Sequence, residues 1–160
     1  MKSAPSDQKL RGGYYTPPPI AQFLARWAIR SGRDRVLEPS CGDGAFVEAS
    51  ARALLELGAS PASMAELIVG VETDADEAAK ATARMASITA LPSPVRVHVG
   101  DFFAYCEAHF IEHPLLGASL RPRRAFDAVV GNPPFVRYQN FPEQYRRIAF
   151  RFMQAAGLRP

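Results

Sequence analysis

Cysteine is scarce in this chain of 160 residues: Cys41 and Cys106 stand alone in unrelated settings. Two such thiols make neither a disulfide framework nor a metal-ligand cluster, so no metal is expected. Long apolar runs are missing as well, and none approaches the ~20 residues of a membrane span. The opening stretch, Met1 to Lys9, has no apolar core of the kind a signal peptide needs. These absences predict a cytoplasmic protein with no membrane partner. Internal repeats and low-complexity tracts are absent too. Net charge is small, +3.

What is present is an ordinary globular composition, 48% hydrophobic and 22% charged, in one domain's worth of chain. The charge is unevenly spread. Residues 121–160 carry eight arginines against Asp127 and Glu143, a balance of +6 that leaves −3 for the first 120 residues. Such a basic end suits either a phosphate-binding surface or a solvated helix face.

Residues 1–12 read as a flexible leader and 13–160 as a single domain. Thr16 followed by Pro17, Pro18 and Pro19 reads as an N-cap with prolines in a first helical turn. Ile20, Phe23, Leu24 and Trp27 recur at helical spacing, predicting an amphipathic helix that stops near Ser31-Gly32. Strands are expected at Arg35 to Glu38, Leu67 to Glu72, Val95 to Val99 and Phe126 to Val130. Helices are expected from Ala45 to Leu57, from Asp74 to about Ala90, across Ala104 to His109, and after Pro142, with Gly58 as a helix C-cap glycine. Pro114 to Arg124 reads as a loop. Alternating strands and helices predict βαβ units and a doubly wound, mainly parallel sheet.

Four short segments follow the four strands, at the edge where open α/β sheets bind ligands. Glu38-Pro39-Ser40-Cys41-Gly42-Asp43-Gly44 is a tight glycine turn into a helix, where a ligand can approach the backbone closely. It is not a dinucleotide turn: Val47 stands where a third glycine is needed, and the acid Glu72 lies ~30 residues on instead of ~20. Glu72 can accept hydrogen bonds from both hydroxyls of a ribose, or be a plain solvent-facing carboxylate. Asp101 can take a hydrogen bond from an adenine amino group or cap a helix. Phe102 can pack on an adenine ring, and one of Phe102 and Phe103 is expected in the core.

The fourth segment is Asn132-Pro133-Pro134-Phe135. It joins an amide side chain, a free carbonyl, two rigid rings and an aromatic face, the groups needed to hold an exocyclic amine of a nucleobase. Its alternative is a plain β-turn. Together the four segments suit a cofactor with an adenosine but no pyrophosphate, and S-adenosyl-L-methionine is the obvious candidate. A C5-cytosine enzyme is excluded, because this loop lacks the thiolate nucleophile.

Set in order, these segments resemble the amino-terminal part of a γ-class DNA adenine-N6 methyltransferase of restriction–modification systems. Tyr14-Tyr15-Thr16-Pro17-Pro18 resembles that family's first cofactor motif, and Val36 to Phe46 its glycine motif. Val69-Gly70-Val71-Glu72-Thr73-Asp74 and Gly100-Asp101-Phe102 resemble the next two, and Phe126 to Tyr138 the catalytic one. The resemblance implies a class I, Rossmann-like methyltransferase fold. It implies that Thr16, Glu38, Ser40 and Gly42 hold the methionine end of the cofactor, Glu72 its ribose, Asp101 its adenine amino group and Phe102 its adenine face, with Tyr15, Pro39, Cys41, Gly44 and Thr73 also among the cofactor-binding residues. Asn132, Pro133, Pro134 and Phe135 would be catalytic, Asn132 also facing the cofactor. Arg137 and Tyr138 would touch the backbone of double-stranded DNA from which the target adenine is flipped.

The family's sheet continues beyond the catalytic loop and is followed by a target-recognition domain. Only ~22 residues follow Tyr138, enough for one helix. The sheet is therefore expected to be incomplete at the carboxyl end, with a missing half or recognition subunit as partner. The rival expectations are a glutamine-N5 or rRNA methyltransferase, which share Asn-Pro-Pro-aromatic, and a non-catalytic cofactor- or DNA-binding module. A dinucleotide dehydrogenase is disfavoured by Val47.

Overall fold

A computed structural model describes residues 15–89, 96–112, 119–120, 126–134 and 143–158. The chain runs through α1 (Pro18–Ala28), β1 (Val36–Glu38), α2 (Ala45–Glu56), a 3-10 turn (Pro61–Ser63), a one-turn α3 (Met64–Leu67), β2 (Ile68–Glu72) and α4 (Ala75–Thr89). It continues with β3 (Arg96–Val99), α5 (Phe102–Phe110), β4 (Ile111–Glu112), β5 (Ser119–Leu120), β6 (Ala128–Val129) and α6 (Glu143–Ala155).

Four strands form one sheet in the order β3-β2-β1-β6, with β1–β2, β1–β6 and β2–β3 all parallel. Val36 pairs with Ile68 and Ala128, and Glu72 pairs with Val99, so all four carboxyl ends lie at one edge. Successive side chains along a strand point to opposite faces, and the two faces are covered by different helices. Val36, Ile68, Ala128 and Val130 pack with Ala21, Ala25, Val47, Leu54, Ala81 and Met85 from α1, α2 and α4. Leu37 and Val71 pack with Tyr105 and Cys106 of α5 and with Phe152 of α6. A parallel sheet clothed on both faces explains why its strands are apolar throughout. The predicted doubly wound α/β fold is the one observed, and among the described residues no helix is long and apolar enough to cross a membrane.

Several local expectations are corrected. Thr16 does not cap α1: the cap is Pro17, whose carbonyl receives the Ile20 and Ala21 amides at 2.9 and 3.2 Å. The helix ends at Ala28, three residues before Ser31. Its apolar stripe does not face the core either. Ile20, Phe23, Leu24 and Trp27 are exposed, and Ala21 and Ala25 are the residues buried against the body of the protein. Small side chains let the helix backbone approach closely, which four bulky ones would prevent. Beyond α2, Gly58 adopts φ 88° and its amide meets Leu55 O at 3.0 Å, while Ala59 N meets Leu54 O at 3.0 Å, the C-cap arrangement expected there. Within the expected loop, Pro114 to Arg124, Ser119–Leu120 forms β5, which pairs antiparallel with β4 just before the loop, Ile111 opposite Leu120. The helix expected from Ala104 starts at Phe102 instead. The expected leader, residues 1–12, lies outside the described residues.

Candidate functional site

β1 has β2 on one side and β6 on the other, so the chain's connections leave it in opposite directions. Parallel sheets leave a crevice at such a point. Around it stand the glycine turn after β1, the Glu72 loop after β2, Asp101 after β3 and Gly131-Asn132 after β6.

The glycine turn is built from its backbone. Cys41 N donates to Val71 O at 2.9 Å, Gly44 N to Cys41 O at 2.8 Å, and Glu48 N to Gly44 O at 2.8 Å, which starts α2. Gly42 and Gly44 have φ of 51° and 89°, a region that side-chain-bearing residues rarely adopt. At Gly44 space forbids a side chain too, since a Cβ would lie 2.8 Å from Ala81 Cα. At Gly42 nothing lies within 4 Å of a Cβ position, so this part of the turn is open to a ligand. Val47, the residue that breaks the dinucleotide pattern, is a wholly buried core side chain.

Carboxylates ring the turn. Glu72 Oε2 accepts the Gly42 amide at 2.8 Å, and Oε1 accepts the Asp74 amide at 2.8 Å and the Thr73 hydroxyl at 3.1 Å. Glu72 is thus fixed before any ligand arrives and is not a loose solvent-facing acid. Asp43 is paired with Arg84 of α4, which also reaches Glu48 Oε2 at 3.2 Å. Glu38 is buried, 1% exposed, and among the described residues neither of its oxygens has a hydrogen-bond partner; Ser40 Oγ is likewise buried and unpartnered. Burial pushes the Glu38 carboxyl well above the usual carboxylate range; the Ser40 amide opposes this, without forming a bond to it, and the nearby Glu72 adds to the rise. Cys41 is buried with its Sγ 3.1 Å from where a Gly70 Cβ would be. Burial first, then the charges of Glu38 and Glu72, push its thiol up to about 12, so it is no nucleophile.

Tyr15 is exposed and its hydroxyl donates to Glu77 Oε2 at 3.0 Å, placing the segment before α1 beside the start of α4; Thr16 is half-buried, and so is Pro39. Asp101 Oδ1 accepts the Ala104 amide at 3.0 Å, so the N-cap role is real. Phe102 is half-buried against the Leu37–Val71 cluster, and Phe103 stacks at 6.4 Å on Tyr145. Asn132, Pro133 and Pro134 are exposed in an irregular segment directly after β6, whose pairing ends where Val130 N meets Leu37 O at 3.0 Å. Phe135, Arg137 and Tyr138 lie outside the described residues. In α6, Arg147 pairs with Glu143 and Arg151 with Glu107, so part of the basic carboxyl end is neutralised within the fold.

Two contacts had no local signal in the sequence. Arg84 reaches Asp43 across 41 residues. Gly131 lies against Glu38, because a Cβ there would stand 2.3 Å from Glu38 Oε1.

A glycine turn, a strand-end acid and an Asn-Pro-Pro segment at one edge of a doubly wound parallel sheet define a domain of the class I, Rossmann-like methyltransferase type. The chain belongs to the N-6 DNA methylase family, whose model matches residues 1–160. Solved structures agree on the fold. A chain in a structure described as a type I restriction–modification system is 23% identical with a TM-score of 0.57, over 85% of this chain and 27% of that one. A protein described as a type I restriction-enzyme modification subunit, from Vibrio vulnificus, is 20% identical with a TM-score of 0.55, over 93% and 30%. TrmN from Thermus thermophilus is 23% identical with a TM-score of 0.53, over 89% and 35%. The chain therefore spans about a third or less of each.

Proposed function

We propose that this chain is the cofactor-binding and catalytic portion of an S-adenosyl-L-methionine-dependent methyltransferase that modifies the N6 amino group of adenine in DNA, within a longer restriction–modification enzyme. The observation that carries the cofactor reading is the pair of acids at the glycine turn. The buried Glu38 carboxyl and the Glu72 carboxylate flank it, while Asp43 is already paired with Arg84, and acceptors so placed suit a ligand with a cationic ammonium and sulfonium. The unpartnered Glu38 and Ser40 oxygens, and the open space at Gly42, fit such a group.

When bound, the donor supplies an electrophilic methyl group on a cationic sulfur. Thr16, Glu38, Ser40 and Gly42 hold its methionine end. Glu72, locked by Gly42, Thr73 and Asp74, keeps one acceptor site, on Oε2, for a ribose hydroxyl. Asp101, with one oxygen spent on the helix cap, offers the other to the adenine amine, and Phe102 flanks the ring. Asn132 Oδ1 and the Pro133 carbonyl each accept one N–H of the target amine. Drawing both hydrogens out of the ring plane localises the nitrogen lone pair, and the rigid prolines hold that geometry without a competing donor. Positioning and electrostatics carry the step, with no covalent intermediate. Phe135 stacks on the flipped adenine, and Arg137 and Tyr138 contact the duplex. A carboxyl-terminal half or recognition subunit supplies the sequence reading.

Calorimetric titration of the chain with S-adenosylmethionine, and tritium transfer to unmethylated DNA by the enzyme containing it, test this. N6-methyladenine in digested DNA is the expected product. Label in rRNA or in a glutamine side chain would overturn the DNA assignment, and absence of donor binding would reduce the chain to a non-catalytic module.

A further inference from the structure

The carboxyl of Glu38 stands between two segments that are far apart in sequence. Its strand, β1, lies between β2 and β6, and the register places Glu38 one residue beyond the Leu37–Val129 pair. The Val130 amide still bonds to Leu37 O at 3.0 Å. Gly131 then passes directly over the acid, with a hypothetical Cβ only 2.3 Å from Oε1, 3.1 Å from Cδ and 3.4 Å from Oε2. The carboxyl thus packs against the backbone of the residue that precedes Asn132. It is one of the largest fully buried side chains, and its polar atoms have no partner among the described residues.

A buried carboxyl without hydrogen bonds is costly, more so when charged. A leucine or valine would fill the same volume without that cost. A carboxyl placed there calls for a use, and its contacts limit what that use is. Among the described residues, the groups acting on it are Glu72 at the end of β2, the Ser40 amide and the Cys41 thiol of the glycine turn, and the uncharged backbone at Gly131 just after β6.

We propose that Glu38 is a positioning residue that couples the glycine turn to the catalytic loop: through its contact with Gly131, the state of the carboxyl sets where Asn132 stands. A cation held in the turn draws the ionised carboxylate towards it; without one, the neutral acid rests against Gly131. The placement of Asn132 then depends on what the turn holds. This deepens the proposed function and rests on it for the identity of the cation, but the Glu38–Gly131–Asn132 linkage can be tested without any ligand.

The test is a pH titration of the isotope-labelled chain followed by NMR at three places: the Glu38 carboxyl carbon, the Gly131 amide and the Asn132 side-chain amide. All three signals are expected to share one midpoint. In Glu38→Gln the Gly131 and Asn132 titrations should vanish while the thermal midpoint is retained at acid pH and raised at neutral pH, a combination that a merely structural role would not produce. In Gly131→Ala the Asn132 signal should shift, and adding Glu38→Ala should remove most of that shift. Glu38 titrating alone, with Gly131 and Asn132 unmoved by pH and by both substitutions, would overturn the linkage. Loss of S-adenosylmethionine binding with the linkage intact would instead count against the cofactor assignment.

Discussion

Gly42 and Glu72 are 30 residues apart, yet the amide of one donates to the carboxylate of the other at 2.8 Å. That bond fastens the glycine turn to the end of β2, so the two halves of the proposed cofactor site are assembled before ligand binding. Rigid sites lose less entropy on binding than loose ones.

Glu72→Ala should therefore do two things at once. It leaves the Gly42 and Asp74 amides without their acceptor, lowering stability by about 1–3 kcal/mol. It also removes the ribose acceptor, weakening S-adenosylmethionine binding by roughly 10-fold or more, since each 1.4 kcal/mol is tenfold. Urea denaturation and calorimetry read the two effects separately. Unchanged affinity would show that Glu72 serves the fold alone.

Gly44 and Gly58 have nearly the same φ, 89° and 88°, but different surroundings. Gly58→Ala meets only backbone strain in open space, about 1 kcal/mol. Gly44→Ala adds a clash with the backbone of α4 at Ala81, and should destabilise by about 2–4 kcal/mol. Paired urea curves test the ranking, and equal losses would contradict the packing of α4 on the turn.

The folded-state pKa of Glu38 is raised by burial. The neutral acid is therefore the form favoured in the native state. Its contribution is fully present below the ordinary carboxylate range and is lost as pH climbs towards the raised folded value. Within that window each pH unit removes about 1.4 kcal/mol from the native protein relative to a variant that cannot ionise. Glu38→Gln should match the native chain near pH 3 and be the more stable of the two at neutral pH. Thermal melts across pH 3–8 check it, and parallel stability curves would contradict it.

Asn132 is exposed and contributes no described core contact. Asn132→Ala should leave stability and donor affinity nearly unchanged while methyl transfer in the intact enzyme falls by about 100-fold or more, the scale of losing one positioned polar group. Full retained activity would remove Asn132 from the mechanism.

Much of this arrangement could be read from residue order. Apolar runs ending in Glu38, Glu72, Gly100-Asp101 and Gly131-Asn132 gave four parallel strands with their chemistry at one edge, because a buried parallel strand leaves polar residues only at its end. Orientation was harder. The stripe of Ile20, Phe23, Leu24 and Trp27 marks the apolar side of α1 correctly, but periodicity does not say which side packs, and Ala21 and Ala25 do. Asp101 allowed both a ligand and a capping reading, and only the Ala104 bond shows the cap. The burial of Glu38 was hidden, because a strand-end acid ordinarily meets water. Its cover, Gly131, is brought over it by β6, more than 90 residues later in the chain.

The outward stripe on α1 also governs how the protein can be observed. Trp27 is the sole tryptophan, and it is 66% exposed. Its indole is already solvated in the native state, so its emission changes little as the core melts, and fluorescence-detected unfolding will under-report the transition. Buried Tyr105, stacked at 4.1 Å on His109, sits where an optical signal does depend on packing, which makes near-ultraviolet circular dichroism the more faithful gauge of whether this domain is folded.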